Sequence, residues 1–266
     1  GMAHIGIIKY LEEQGYEIVS ISGCSMGALI GGFYAAGTLD TYTTWLKELN
    51  TLDMIKLLDF SGSGGLISGK KLFSTLETLL GDVSIETLPI KYTAVATDLR
   101  NEKEIWINSG SLLQAIRASI SLPMFFTPVK YNDTLLIDVG VLNPVPIAPT
   151  FHDNSDISIA INLGGEINPS LERNTFETDS DFFNAFKKKL AKYTLPSVLS
   201  DDYSLYKVAD KSFDTMQNTI ARVKLSAYPP DIELTLPRNL CGTLEFNRAD
   251  EIIDYGYAFA KTHFNT

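Results

Sequence analysis

The sequence predicts an α/β fold of three layers, α/β/α, with helices covering both faces of a mostly parallel sheet. Three observations carry that expectation. Apolar strand-like runs alternate with amphipathic helix-like stretches along nearly the whole chain. Glycine-marked turns punctuate them, most tightly at Gly23-Cys24-Ser25-Met26-Gly27, where a strand-like run passes directly into a helix-like one. The 266 residues, 45% apolar and 20% charged, suffice for one well-buried core, so residues 1–266 are read as a single domain without internal repeats.

The chain opens inside an amphipathic helix, with Ile5, Ile8 and Leu11 on one face, Lys9, Glu12 and Glu13 on the other, and Gly15 closing it. Residues 17–22 read as a strand, and residues 26–37 as the helix that follows. Helical pattern then covers about 40–58, a Ser/Gly loop 61–65, and a further helix 69–80. Strands are predicted at 91–97 and 103–107, a short helix at 112–118, and a turn at Pro123. Residues 134–138 form a strand that delivers Asp138 at its end, and 157–163 another strand. The Gly, Asn, Pro, Ser and Thr of 164–180 read as a surface loop, 181–223 as helical, 231–236 as the last strand and 248–264 as the closing helix.

Charge and composition narrow the function. A net charge of −10, from 22 basic and 32 acidic residues, disfavours a nucleic-acid partner. The one basic run, Lys187-Lys188-Lys189, lies among Phe182, Phe183, Phe186 and Leu190 and reads as a solvated helix face, with peripheral contact to a membrane surface as the other reading. Cys24 and Cys241 make no disulfide framework, and His4, His152 and His263 make no metal motif, so neither metal nor cofactor is expected. A reducing, cytoplasmic location fits two isolated thiols, with no spanning segment or signal pattern in view.

The strand–turn–helix setting of Gly23-x-Ser25-x-Gly27 is that of a nucleophile elbow. Such a turn lifts the Ser25 hydroxyl clear of the sheet, calls for small residues at Gly23 and Gly27, and aims Oγ along a helix N-terminus whose free N–H groups favour an anion. The Met26 N–H is the first such donor. Asp138, at the end of its strand, is the carboxylate placed to act as a base, provided that burial strengthens it.

Beyond these two residues, several blocks fall in the order found in patatin-like phospholipases: residues 1–13, the elbow and its helix, Ala96-Thr97-Asp98-Leu99, Ala115-Ile116-Arg117-Ala118-Ser119 running to Leu122-Pro123, and Ile137-Asp138-Val139-Gly140 running to Pro146. Over almost its whole length the chain resembles that family, nearest the bacterial branch related to neuropathy target esterase. The resemblance implies a Ser25–Asp138 dyad hydrolysing phospholipid or lysophospholipid esters, with Ser25 as nucleophile and Asp138 as proton carrier. It also implies that a first strand and a Gly-Gly-Gly-x-Arg oxyanion loop precede Gly1, leaving Met26 as the donor in view. Val139 stands where the family usually has glycine, and a positive φ there would strain a β-branched residue. The missing loop and Val139 leave open an alternative, a lipid-binding or regulatory pseudoenzyme of the same fold.

Other residues have plainer readings. Cys24 reads as a small buried residue, with an acyl acceptor as the other reading, and His152, beside Asp153-Asn154, reads as a loop histidine although the order Ser25, Asp138, His152 would suit a triad. Arg117 is expected to pair with a carboxylate, and Asn143 and Pro144 to shape the loop after Asp138. Phe125, Phe126, Phe182, Phe183 and Phe186 would pack in the core or line an acyl channel.

Overall fold

A computed structural model describes residues 1–57, 68–123, 126–131, 133–171, 205–242 and 245–265. The basic run at 187–189 and Phe125, Phe182, Phe183 and Phe186 lie outside them. The helices are α1 (Ala3–Glu13), α2 (Met26–Ala35), α3 (Leu39–Glu48), α4 (Thr51–Leu57), α5 (Lys70–Leu80), α6 (Leu112–Ser119), α7 (Leu205–Ala227) and α8 (Ala249–Phe264). The strands are β1 (Ser20–Gly23), β2 (Lys91–Asp98), β3 (Lys103–Ile107), β4 (Val129–Tyr131), β5 (Thr134–Asp138), β6 (Ile159–Gly165) and β7 (Ile232–Pro237). The helical pattern expected over 40–58 is broken between α3 and α4, where the Asn50 side chain accepts the Asp53 amide at 3.0 Å and starts a new helix.

A central sheet of β1 to β5 is flanked by helices, as expected for an α/β fold. Its strand directions are mixed, where a mostly parallel sheet was expected. β1 runs parallel to β2, whereas β3 and β5 both run antiparallel to β2, and β4 antiparallel to β5. The reason is local. Only residues 99–102 join β2 to β3 and only 132–133 join β4 to β5, and links that short return the chain antiparallel. Asp98 builds the first of these turns by accepting the amides of Arg100 and Asn101 at 2.9 and 3.1 Å. β6 and β7 form a separate parallel pair.

Strand β2 organises the site. β3 occupies one of its edges from Ala94 to Asp98. Because β1 pairs with Lys91–Ala94 and β5 with Ala96–Asp98, both must share the other edge. They meet end to end there, Gly23 opposite Ala94 and Asp138 opposite Ala96. Helices α2 and α6 bury their apolar faces over this junction through Ala28, Phe33, Leu112, Ala115 and Ile116, all fully enclosed. α1 and α8 pack on each other at one side, where Tyr10 meets Tyr257 edge to face at 5.6 Å.

Candidate active site

Ser25 stands at the N-cap of α2 with φ 51° and ψ −121°, a conformation that L-residues avoid. Its side chain makes no capping bond to the helix, so the hydroxyl projects away from the backbone. The turn depends on Gly23, because a Cβ there would stand 2.4 Å from the Ala28 nitrogen and 2.5 Å from the Gly27 carbonyl carbon. Gly27 differs from what the motif suggested. A Cβ at Gly27 would meet only His4 Nε2, at 3.9 Å, so close packing does not require glycine there. The Met26 N–H, the first amide of α2, has no acceptor within the helix and points its partial positive charge toward the elbow.

Asp138 is completely buried at the end of β5. Its Oδ1 accepts the Gly140 amide at 2.7 Å and the Cys24 thiol at 3.4 Å. Oδ2 is equally enclosed and has no hydrogen-bond partner. Burial pushes the carboxyl above the ordinary carboxylate range, against the opposing pull of the Ser25 hydroxyl, the Gly140 amide and the Cys24 thiol, each of which favours the charged form. Ser25 is thus near enough to Asp138 to favour its charged form, while Oδ2 has no closed hydrogen bond. A desolvated carboxylate with an open lone pair is a stronger base than one in water.

Val139 carries no strain. It begins a single 3₁₀ turn, Val139–Val141, and is fully buried; among the described residues, Ser25 and Glu102 are the non-glycine residues with positive φ. Asp138 is the N-cap of this turn, its Oδ1 accepting the Gly140 amide, and the turn is closed by the Leu142 amide on the Val139 carbonyl at 2.7 Å.

Two side chains whose contacts the sequence did not foretell complete the arrangement. Ser119, the last residue of α6 and fully buried, donates its hydroxyl to the Val95 carbonyl at 2.7 Å and accepts the Ser25 amide at 3.0 Å. Two residues on, the Ser121 carbonyl accepts the Asp138 amide at 3.0 Å. One short turn therefore holds the backbones of both residues. Cys24, read from sequence as a packing residue or an acyl acceptor, donates to Asp138. The signal for Ser119 was present, since it falls within a matched block, but nothing local tells its hydroxyl from that of any helix-ending serine.

His152 is not part of this arrangement. Its neighbour Asp153 binds the Ser20 hydroxyl and, at 2.6 Å, Lys91 Nζ, which ties the loop to the opposite end of β1. The three residue steps from Ser20 to Gly23 alone span about 10 Å. His152 instead borders a cavity of about 300 Å³ with Trp106, Glu104, Phe151, Lys224 and Tyr228. Among the described residues Arg117 meets an aromatic ring where a carboxylate was expected: its guanidinium lies 4.8 Å from the Phe73 ring centre, and that ring also packs on Phe126. Asn143 does shape the loop after Asp138, donating to Glu104 Oε2 at 3.2 Å. Among the described residues no group of three or more His, Cys, Asp or Glu side chains is placed to hold a metal ion. Among them, too, no helix is long and apolar enough to cross a membrane.

The chain is similar to known proteins. A family model for patatin-like phospholipases matches residues 1–151. An uncharacterized NTE family protein from Mycobacterium bovis is 36% identical over 312 aligned residues, which cover 98% of this chain and 87% of the relative. The neuropathy target esterase sws of Drosophila melanogaster is 29% identical across the whole chain, which spans 19% of that longer protein. In structure, VipD from Legionella pneumophila superposes with a TM-score of 0.55 over 98% of this chain and 64% of its own, at 14% identity, a likeness of fold alone.

Proposed function

This chain belongs to the patatin-like phospholipase family, which makes it an acyl-ester hydrolase of lipids, and from that premise we propose a phospholipase A or lysophospholipase reaction run by a Ser25–Asp138 dyad. The observation that carries the dyad is the buried, unpartnered Oδ2 of Asp138 beside a serine held at φ 51°. Ser25 Oγ attacks the ester carbonyl carbon while its proton passes to Asp138 Oδ2. The negative charge that develops on the carbonyl oxygen is met by the Met26 N–H and the positive end of α2. Asp138 then gives the proton to the leaving alcohol as the carbon–oxygen bond breaks, which leaves an acyl group on Ser25. Water, deprotonated by the same carboxylate, then attacks the acyl carbon, and as the bond to Ser25 Oγ breaks Asp138 returns the proton to Oγ and the fatty acid leaves.

No third residue orients the base in this scheme. In a Ser-His-Asp triad the imidazole rotates freely until a carboxylate fixes it. The Asp138 carboxyl is fixed by its own turn through the Gly140 amide. The non-catalytic alternative drew partly on strain at Val139, and Val139 has none. Such substrates lie in membranes, so the reading places the protein at a membrane surface on the cytoplasmic side.

The test is Ser25→Ala in the full-length protein, assayed on short p-nitrophenyl esters and on lysophospholipid micelles. Both activities and labelling by a fluorophosphonate should vanish while the melting temperature stays within a few degrees of wild type. Substantial hydrolysis by the alanine variant would remove Ser25 from the reaction.

A further inference from the structure

A carboxylate has two oxygens, and a base that works on one serine proton needs one of them kept free and aimed. At Asp138 the two are unlike. Oδ1 has two donors, the Gly140 amide from its own turn and the Cys24 thiol from the elbow, whereas Oδ2 has none. Cys24 immediately precedes Ser25, so one strained turn contributes both the group that ties down one oxygen and the group that must reach the other.

We propose that Cys24 is a positioning residue: its thiol, together with the Gly140 amide, occupies Oδ1 of Asp138 and so reserves Oδ2 for the Ser25 proton. This rests on the dyad reading above. The thiol suits the task because it remains a donor. Burial, then the charge of Asp138, holds its proton on well above the ordinary thiol range. It is also a weak donor, so it fixes the carboxyl's rotation while removing little of its basicity. A hydroxyl in its place would bind Oδ1 more strongly and make the carboxylate a poorer base. An alanine would leave the Gly140 amide as the single tether.

Among the described residues, few other charges face the pair. From β3, Glu104 acts on Cys24 at longer range and is itself paired with Lys224 of α7 at 2.8 Å. From α1, His4 stands against Gly27. The groups that α6 and α7 bring to the Asp138 turn are Ser119, Ser121 and Gln217, none of which titrates in the working range.

The experiment compares Cys24→Ala and Cys24→Ser with wild type in the full-length protein, through pH profiles of kcat and KM on a soluble ester. In Cys24→Ala the acidic limb should move to higher pH by about half a unit to one unit, and kcat should fall roughly threefold to tenfold, as expected for one weak hydrogen bond to a charged group. KM should stay within about twofold, since the thiol reserves an oxygen and binds no substrate. Cys24→Ser should return the limb to the wild-type position or below it. An alanine variant with the wild-type limb and kcat, or serine and alanine variants that behave alike, would overturn the proposal. A second readout needs no turnover. In a Cys241→Ser background the S–H stretching band of Cys24 should move to higher frequency when Asp138→Ala removes its acceptor. A band that does not move would overturn the contact itself. A protein whose hydrolysis is independent of Ser25 would instead sink the dyad, whatever the band shows.

Discussion

Replacing Ser119 with alanine deletes one oxygen from the middle of the elbow. That hydroxyl has a single proton, which goes to the Val95 carbonyl at 2.7 Å, so its lone pairs are left to accept the Ser25 amide at 3.0 Å. Ser119→Ala therefore strands a buried carbonyl and a partly buried amide. An orphaned buried polar group costs about 1–3 kcal/mol, and with the amide at the low end the pair amounts to roughly 2–3 kcal/mol. For a chain of this size that lowers the melting temperature by about 4–10 °C.

The effect on catalysis should be separate and larger. A serine at φ 51° stores about 1–3 kcal/mol of backbone strain, which persists only while its surroundings hold it. Ser119 supplies one of the bonds that hold it. If half or more of that strain relaxes, the competent elbow becomes a minor state, and each ~1.4 kcal/mol is tenfold in rate. The expected result is a kcat lower by roughly 10- to 100-fold with KM within about twofold, read by steady-state hydrolysis and by the rate of fluorophosphonate labelling, which reports the nucleophile alone. A variant that melts lower yet keeps the wild-type kcat and labelling rate would refute the reasoning, because Ser119 would then hold the core and not the elbow.

Asp138→Asn should abolish turnover, because an amide cannot take the serine proton; turnover above a few per cent would reassign the base. The same variant should melt higher than wild type near pH 7. Burial raises the Asp138 pKa in the folded state, so its stabilising contribution is present in acid and is lost as pH rises through that raised value; the gain in melting temperature should therefore shrink toward about pH 4. For the same reason the wild-type rate should climb with pH as Asp138 ionises, and a flat acidic limb would show that its pKa is not raised. His152→Ala should leave kcat within about threefold, since its loop is anchored at the far end of β1; a large loss there would restore the triad. Gly23→Ala should abolish soluble expression or ester cleavage, whereas Gly27→Ala should melt within a few degrees of wild type, and equal damage at both would contradict the space measured around them.

What the sequence made legible was local. The elbow announced itself because a strand, a tight turn and a helix follow one another within 20 residues or so, and each has its own periodicity. α5, α6, β7 and α8 fell within a residue or so of where apolar spacing and turn residues placed them. Strand β4, at three residues, was too short to leave a pattern. The mixed sheet escaped because strand direction depends on which strands pair, and composition does not report that. Ser119 and Cys24 escaped for the same reason. Ser119 meets Ser25 across 94 residues and Cys24 meets Asp138 across 114, so neither has a signature near itself. Gly27 erred the other way: a motif groups it with Gly23, but only Gly23 has backbone pressed against the place where a side chain would go.

These long-range contacts are not independent of one another, since all of them are set along one edge of β2. Gly23 lies opposite Ala94 and Asp138 opposite Ala96, a separation of two residues or about 7 Å. That interval lets a turn of two residues after Gly23 carry Ser25 back toward Asp138. Val95 lies between, and its carbonyl is the point at which Ser119 is anchored. A one-residue slip of β5 would send the Asp138 side chain to the other face of the sheet and part it from Ser25. The register is guarded against such a slip because the Asp138 amide is tied to the Ser121 carbonyl at 3.0 Å. Sheet register would therefore do for the proposed dyad what an orienting carboxylate does for a triad. Substitutions that loosen the β2–β5 pairing should cost activity before they cost folding.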